Sequence, residues 1–158
     1  MSCVIQWNCQ GLRSKKDEPL DMINDQEPYA VALQETKLWH NARFSVPNYT
    51  LYRKDGHYNN TPHGGVAVRV HQSVPANLLP LNTEYQAIAV RIKYLTPITL
   101  CSIYTARSHQ QSYQSLHDLL VQLPPPVVVM GDFNSYNQMW GCTATDVRVD
   151  WLWKWRTN

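Results

Sequence analysis

The sequence predicts an α+β layered sandwich, and three observations lead to it. Apolar runs of strand length recur from end to end between turn-forming residues, and one segment carries an unbroken helical period. No repeat, low-complexity tract or linker divides the 158 residues, so residues 1–158 read as a single domain. With 44% hydrophobic and 16% charged residues, the chain has enough apolar side chains for a core, which excludes a disordered tail. A formal net charge of +2 permits a polyanionic partner without requiring one.

The expected strands cover residues 3–7, 29–33, 49–52, 65–70, 87–92, 99–104 and 127–130. Ile88, Val90 and Ile92 share one face, as in a strand with one side on the core. The run 127–130 is apolar throughout and reads as a central strand covered on both faces. A helix is expected after Arg107, with Ser108 as its cap and Tyr113, Leu116, Leu120 and Leu123 on one face. Pro124, Pro125 and Pro126 end it and deliver extended chain to the next strand. A second helix is expected between Ser14 and Asn24, starting near or bending at Pro19.

No apolar run approaches the length that spans a bilayer, and the N-terminus has neither a basic leader nor a small-residue cleavage site. An intracellular protein, nuclear or cytoplasmic and without membrane contact, is expected. Cys3, Cys9, Cys101 and Cys142 form no CxxC pair and have no histidine at zinc spacing, so free thiols are the expectation.

Candidate chemistry gathers at strand ends. Asn8 in QWNCQG, Glu35 in VALQETK, and Asp132 with Asn134 in VVVMGDFN each follow an apolar strand and would face a common sheet edge. Hard divalent cations such as magnesium take carboxylate and amide oxygens and keep several waters. Singly, each position has a plainer reading: Glu35 as a solvated acid near Lys37, and Gly131, Asp132, Asn134 and Ser135 as turn residues. Their combination in this order is harder to attribute to turns.

The succession WNCQGLRSK, VALQETKL, GGVAV, LCSIY and the proline-led VVVMGDFN with its following WG resembles the endonuclease/exonuclease/phosphatase superfamily. Within it, the resemblance is closest to the apurinic-like endonuclease domains of non-LTR retrotransposons, and it runs from Val4 to about Arg148. It implies the DNase I-like four-layer αββα sandwich. It also implies magnesium- or manganese-dependent nicking of a DNA target, alongside a reverse transcriptase domain in the same polyprotein of relatives. Relatives of this fold also hydrolyse other phosphate esters, and a fold alone does not choose a substrate. By resemblance, Glu35 is the metal-binding glutamate and Asn8 lies beside it. Asp132 orients or activates the attacking water, Asn134 steadies the scissile phosphate, and Tyr104 lies near the same phosphate. The chemistry is coherent: charge builds on the non-bridging oxygens of an attacked phosphodiester, where a cation and neutral donors stabilise it.

Departures accompany the match. Thr105, Ala106 and Arg107 replace a usual proline-containing turn, and Arg107 is a candidate phosphate contact. Arg148 is followed by Val149 where relatives have glycine. The Ser-Asp-His motif with which the superfamily ends does not follow Asn134, so a sandwich incomplete at its C-terminus is expected. A non-catalytic, metal- or nucleic-acid-binding remnant is then the alternative. The alternating tryptophans of DWLWKWRTN suit core packing better than base stacking.

Overall fold

The computed structural model describes residues 3–13, 21, 23, 25–106, 112–136, 138, 142, 143 and 145. In chain order its elements are β1 (Val4–Asn8), β2 (Ala30–Gln34), β3 (Tyr49–Lys54), β4 (His57–Tyr58), β5 (Thr61–Pro62), β6 (Val66–His71), β7 (Ala76–Leu79), β8 (Gln86–Lys93), β9 (Pro97–Tyr104), α1 (Tyr113–Leu120) and β10 (Val127–Asp132). Asp21, Ile23 and Asp25 are helical, and the rest of the expected 14–24 helix lies outside the described residues.

Two four-stranded sheets pack face to face, one in the order β1-β2-β6-β3 and the other β10-β9-β8-β7. Each has one parallel pair, β1 with β2 and β10 with β9, and is otherwise antiparallel. Alternating aliphatic residues make the shared interior: Val66, Val68 and Val70 of the first sheet meet Ile88, Val90, Ile92 and Leu100 of the second. Each outer face has its own cover. Leu116, Leu119, Leu120 and Leu123 seal the second sheet over Ala87, Ala89, Cys101 and Ile103. Leu12, Ile23 and Leu38 lie on Val31, Leu33 and Ala67 of the first. Truncating one of these buried leucines to alanine costs about 2–5 kcal/mol.

The structure corrects several details. Ser112, not Ser108, caps α1: its hydroxyl accepts from Ser115 N, and the Ser115 hydroxyl closes a reciprocal capping box. Leu123 is buried beyond the end of the helix. Strand β8 is covered on both faces, because Ala87 and Ala89 are small enough to let α1 close over the side opposite Ile88 and Val90. Conversely, β10 lies at the edge of its sheet among the described residues, with Val128 38% exposed, since an apolar run reports hydrophobicity and not the number of its neighbours. The short β4–β5 hairpin and edge strand β7 were not anticipated: neither has a long enough alternating pattern to be read.

Candidate active site

The C-terminal ends of both parallel pairs meet at one end of the sandwich. In register, Asn8 pairs with Gln34, and Asp132 pairs with Tyr104. The parallel course continues past β1 through Cys9 N to Gln34 O, Gly11 N to Glu35 O and Leu12 N to Thr36 O, at 3.0, 2.8 and 3.0 Å. A regular strand would send Glu35 to the face opposite Gln34. A φ of +50° at Glu35 breaks that alternation, and its carboxylate turns to Asn8, which shares the face of Gln34.

Left-handed backbone is concentrated here. Among the eight described non-glycine residues with positive φ, Gln10, Glu35, Lys37 and Asn134 lie at this end, and such strain collects where surrounding structure enforces it for function. The enforcing contacts are visible. Thr36 N and Lys37 N donate to Gly65 O and Gly64 O. A Cβ on Gly65 would stand 2.6 Å from Thr36 Oγ1 and one on Gly64 2.2 Å from Gln86 Oε1, which explains the glycine pair of the GGVAV motif. Gly131 has a parallel reason, since its Cβ would meet Ile103 O at 2.1 Å.

Asn8 joins the two halves. Its Nδ2 donates to Glu35 Oε1 at 3.0 Å and to Asp132 Oδ2 at 2.7 Å, so carboxylates from the two sheets converge on one amide. The other Asp132 oxygen accepts from Asn134 N at 2.8 Å, an Asx turn that fixes the carboxylate. Thr105 clamps the same turn: its N–H and hydroxyl both donate to Asp132 O, and its own carbonyl accepts from Asn134 Nδ2 at 2.9 Å. A cleft of about 380 Å³ opens beside Asn8, Asp132, Phe133, Asn134 and Ser135.

Burial works against ionisation of Glu35. The Asn8 hydrogen bond, the Lys37 ammonium 3.0 Å from Oε2 and the nearby His63 outweigh it and hold the carboxyl below its ordinary range. The plain reading of Glu35 as a neighbour of Lys37 is therefore true in part, but the residue also reaches into the polar cluster. Beneath it, Gln34 is fully buried and donates to Ser102 Oγ at 2.9 Å, Ser102 donates to Leu33 O, and Gln6 donates to Gln34 Oε1. This buried chain ties the sheets together directly under the carboxylates.

Of the residues chosen from sequence, the structure brings Asn8, Glu35, Asp132 and Asn134 together. Tyr104 closes β9 beside Asp132, but its side chain is 7% exposed and packs in the inter-sheet core. Arg107, Arg148, Val149 and the tryptophan-rich terminus lie outside the described residues. Sequence reading missed Gln6, Ser102 and the clamping role of Thr105. A serine inside the apolar run LCSIY was the available signal.

The described residues contain no group of three or more His, Cys, Asp and Glu side chains gathered as for a metal. What they offer is two carboxylates and an amide, a hard-oxygen set of the kind that suits a cation keeping most of its waters. Glu35 and Asp132 are the side chains that could hold it.

A sequence profile of the Endonuclease/Exonuclease/phosphatase family matches residues 5–156. Among solved structures, the chain is similar to the catalytic domain of Xenopus laevis APE2, with TM-score 0.62 and 18% identity over 94% of this chain and 66% of that one. It is similar to an AP endonuclease from Archaeoglobus fulgidus, with TM-score 0.56 and 18% identity over 83% of this chain and 57% of that one. It is also similar to D. rerio TDP2, solved with a single-strand DNA product, with TM-score 0.54 and 13% identity over 87% of this chain and 62% of that one. No curated protein matches. The chain spans 57% to 66% of the length of these structures, and identities this low speak for the fold.

Proposed function

The chain belongs to the endonuclease/exonuclease/phosphatase family, with its DNase I-like sandwich, and from that premise we propose that it hydrolyses phosphodiester bonds of DNA with the help of magnesium or manganese. The observation that carries the reading is the bridge through Asn8, which draws Glu35 of one sheet and Asp132 of the other into a single polar centre beside an open cleft. A DNA substrate is supported by the likeness to TDP2 with its DNA product. The order of motifs from WNCQGLRSK to VVVMGDFN supports the narrower reading of a retrotransposon-type target nick, with a reverse transcriptase domain as partner.

In this proposal a bound magnesium ion would neutralise charge on the phosphate oxygens, held by Glu35 with Asn8 and Asp132 beside it. Asp132 has both oxygens positioned by N–H donors, so its carboxylate is fixed to accept a proton from a water directed at phosphorus. The water's oxygen forms the new P–O bond as the bond to the departing sugar oxygen breaks. That oxygen leaves with a proton from solvent. Asn134, braced on Thr105, lines the cleft where the phosphate would rest. Lys37, ion-paired with Glu35 at 3.0 Å, places a positive charge beside the same centre.

The second reading is binding of metal and DNA without hydrolysis. Relaxation of supercoiled plasmid separates the two. EDTA-sensitive nicking that Asp132→Asn abolishes supports hydrolysis. Magnesium and DNA binding without nicking supports the second reading.

A further inference from the structure

Outside the cleft, an exposed group of rings flanks Glu35. Trp39 is 44% exposed and Tyr58 is 66% exposed, the latter among the most solvent-exposed large hydrophobic side chains described. Imidazoles accompany them. His57 lies with its ring centroid 6.0 Å from Trp39 and 6.1 Å from His40, and His63 lies 6.0 Å from Tyr58. The group is built rather than incidental. Arg53 donates to the carbonyls of His40 and Ala42 at 2.8 and 2.9 Å, and Ala42 N donates to Trp39 O, so the 39–42 turn is pinned to β3. His57 is carried by the β4–β5 hairpin, whose turn residues Asn59 and Asn60 have φ of +47° and +58°, the pair that a tight two-residue hairpin requires. His57 faces Trp39 and His40, while Tyr58, next to His63, lies on the other face.

The shelf is continuous with the centre. Lys37 is ion-paired to Glu35 two residues before Trp39, and the charge of His63 is felt at Glu35. The segment 38–62 carries Arg43 and Arg53 against the single carboxylate Asp55, itself 3.4 Å from Arg53, whereas the Lys54 ammonium is turned to the carbonyls of Thr83 and Tyr85. Flat rings in a cationic surround suit a polyanion with flat bases, since stacking accepts any base and the cations meet the backbone.

We propose that Trp39, His40 and His57 form a stacking shelf that takes up unpaired bases of the DNA strand next to the phosphate held at Glu35 and Asp132. The inference rests on the phosphodiesterase reading for the position of that phosphate, and it names the substrate as a strand at least locally single.

The test is fluorescence anisotropy in EDTA, so that cleavage cannot enter. A labelled twelve-nucleotide oligothymidylate is compared with a strand of the same length whose sugars carry no bases. The full chain should bind the first about tenfold more tightly. Trp39→Ala should remove most of that margin, His57→Ala a smaller part and Trp39→Phe little, with binding of the base-free strand unchanged in all three. Circular dichroism checks that each variant is folded. Equal binding of the two strands by the parent, or equal loss on both strands in Trp39→Ala, overturns the shelf. So does a blunt duplex that competes as well as the oligothymidylate. Plasmid nicking is scored separately: a chain that nicks but fails the strand comparison keeps the proposed function and loses the shelf. A chain that passes the strand comparison and never nicks keeps the shelf and loses the function.

Discussion

The two sheets repeat one plan, a parallel pair at one edge followed by two antiparallel partners, yet the ends of their parallel pairs differ. The first sheet ends in a cluster of charge, Glu35 with Lys37. The second ends in a turn, with Asp132 held by Asn134 N and its strand end clamped by Thr105. In the proposed function the first end would hold the cation and the second would aim the carboxylate. Besides apolar packing, they are joined by hydrogen bonds from Asn8 to Asp132 at the surface of the site and, below it, from Gln34 to Ser102 and from Ser102 to Leu33 O. A site divided in this way depends on the packing of two sheets as much as on its own residues.

The largest break in the comparison should come from the aimed carboxylate. Asp132→Asn keeps the shape and removes the proton acceptor, and nicking in magnesium should fall by about a hundred- to ten-thousand-fold. Initial rates of plasmid relaxation measure it. Glu35→Gln tests the other sheet: magnesium or manganese affinity by calorimetry should fall roughly tenfold or more, because a neutral amide no longer balances a dication. Equal affinity would remove Glu35 from the site.

The joint is expected to matter less to chemistry and more to folding. Gln34→Leu removes the donor to the Ser102 oxygen, which keeps its bond to Leu33 O, leaves the Gln6 amide without its buried acceptor, and should cost about 1–3 kcal/mol in urea unfolding. An unchanged midpoint would show that the buried chain contributes nothing. The smallest effect sharpens the symmetry of the two cores. Burial raises the Cys9 thiol to about 11 in the first sheet and the Cys101 thiol to about 12 in the second. Both should resist a thiol reagent at neutral pH in the native chain, while Cys3, which is half-buried, reacts, and all four cysteines of the sequence should titrate in denaturant.

Much of this was legible in the residues, for physical reasons. Long β-branched runs such as VAVRV and AIAVRI announce strands whatever surrounds them, and polar residues just past such runs are conspicuous. Hence Asn8, Glu35, Asp132 and Asn134 could be chosen, and the structure gathers them. What escaped depends on three dimensions. The coverage of β8 by α1 and the edge position of β10 follow from packing, which an apolar string does not encode. Ser112 and Ser108 are equally good caps by composition, and the start of the buried leucine face decides between them. The ring shelf draws its members from two separate segments, Trp39 with His40 and the distant His57, which no local pattern links.

The central claim is that carboxylates from two sheets act as one site, and a double-mutant cycle on plasmid nicking in magnesium tests it most directly. Residues that act as a unit are strongly non-additive, so Glu35→Gln with Asp132→Asn together should be no slower than the worse of the two alone, and EDTA should silence the parent. If the two losses multiply, or if the parent nicks equally well in EDTA, Glu35 and Asp132 do not share a site.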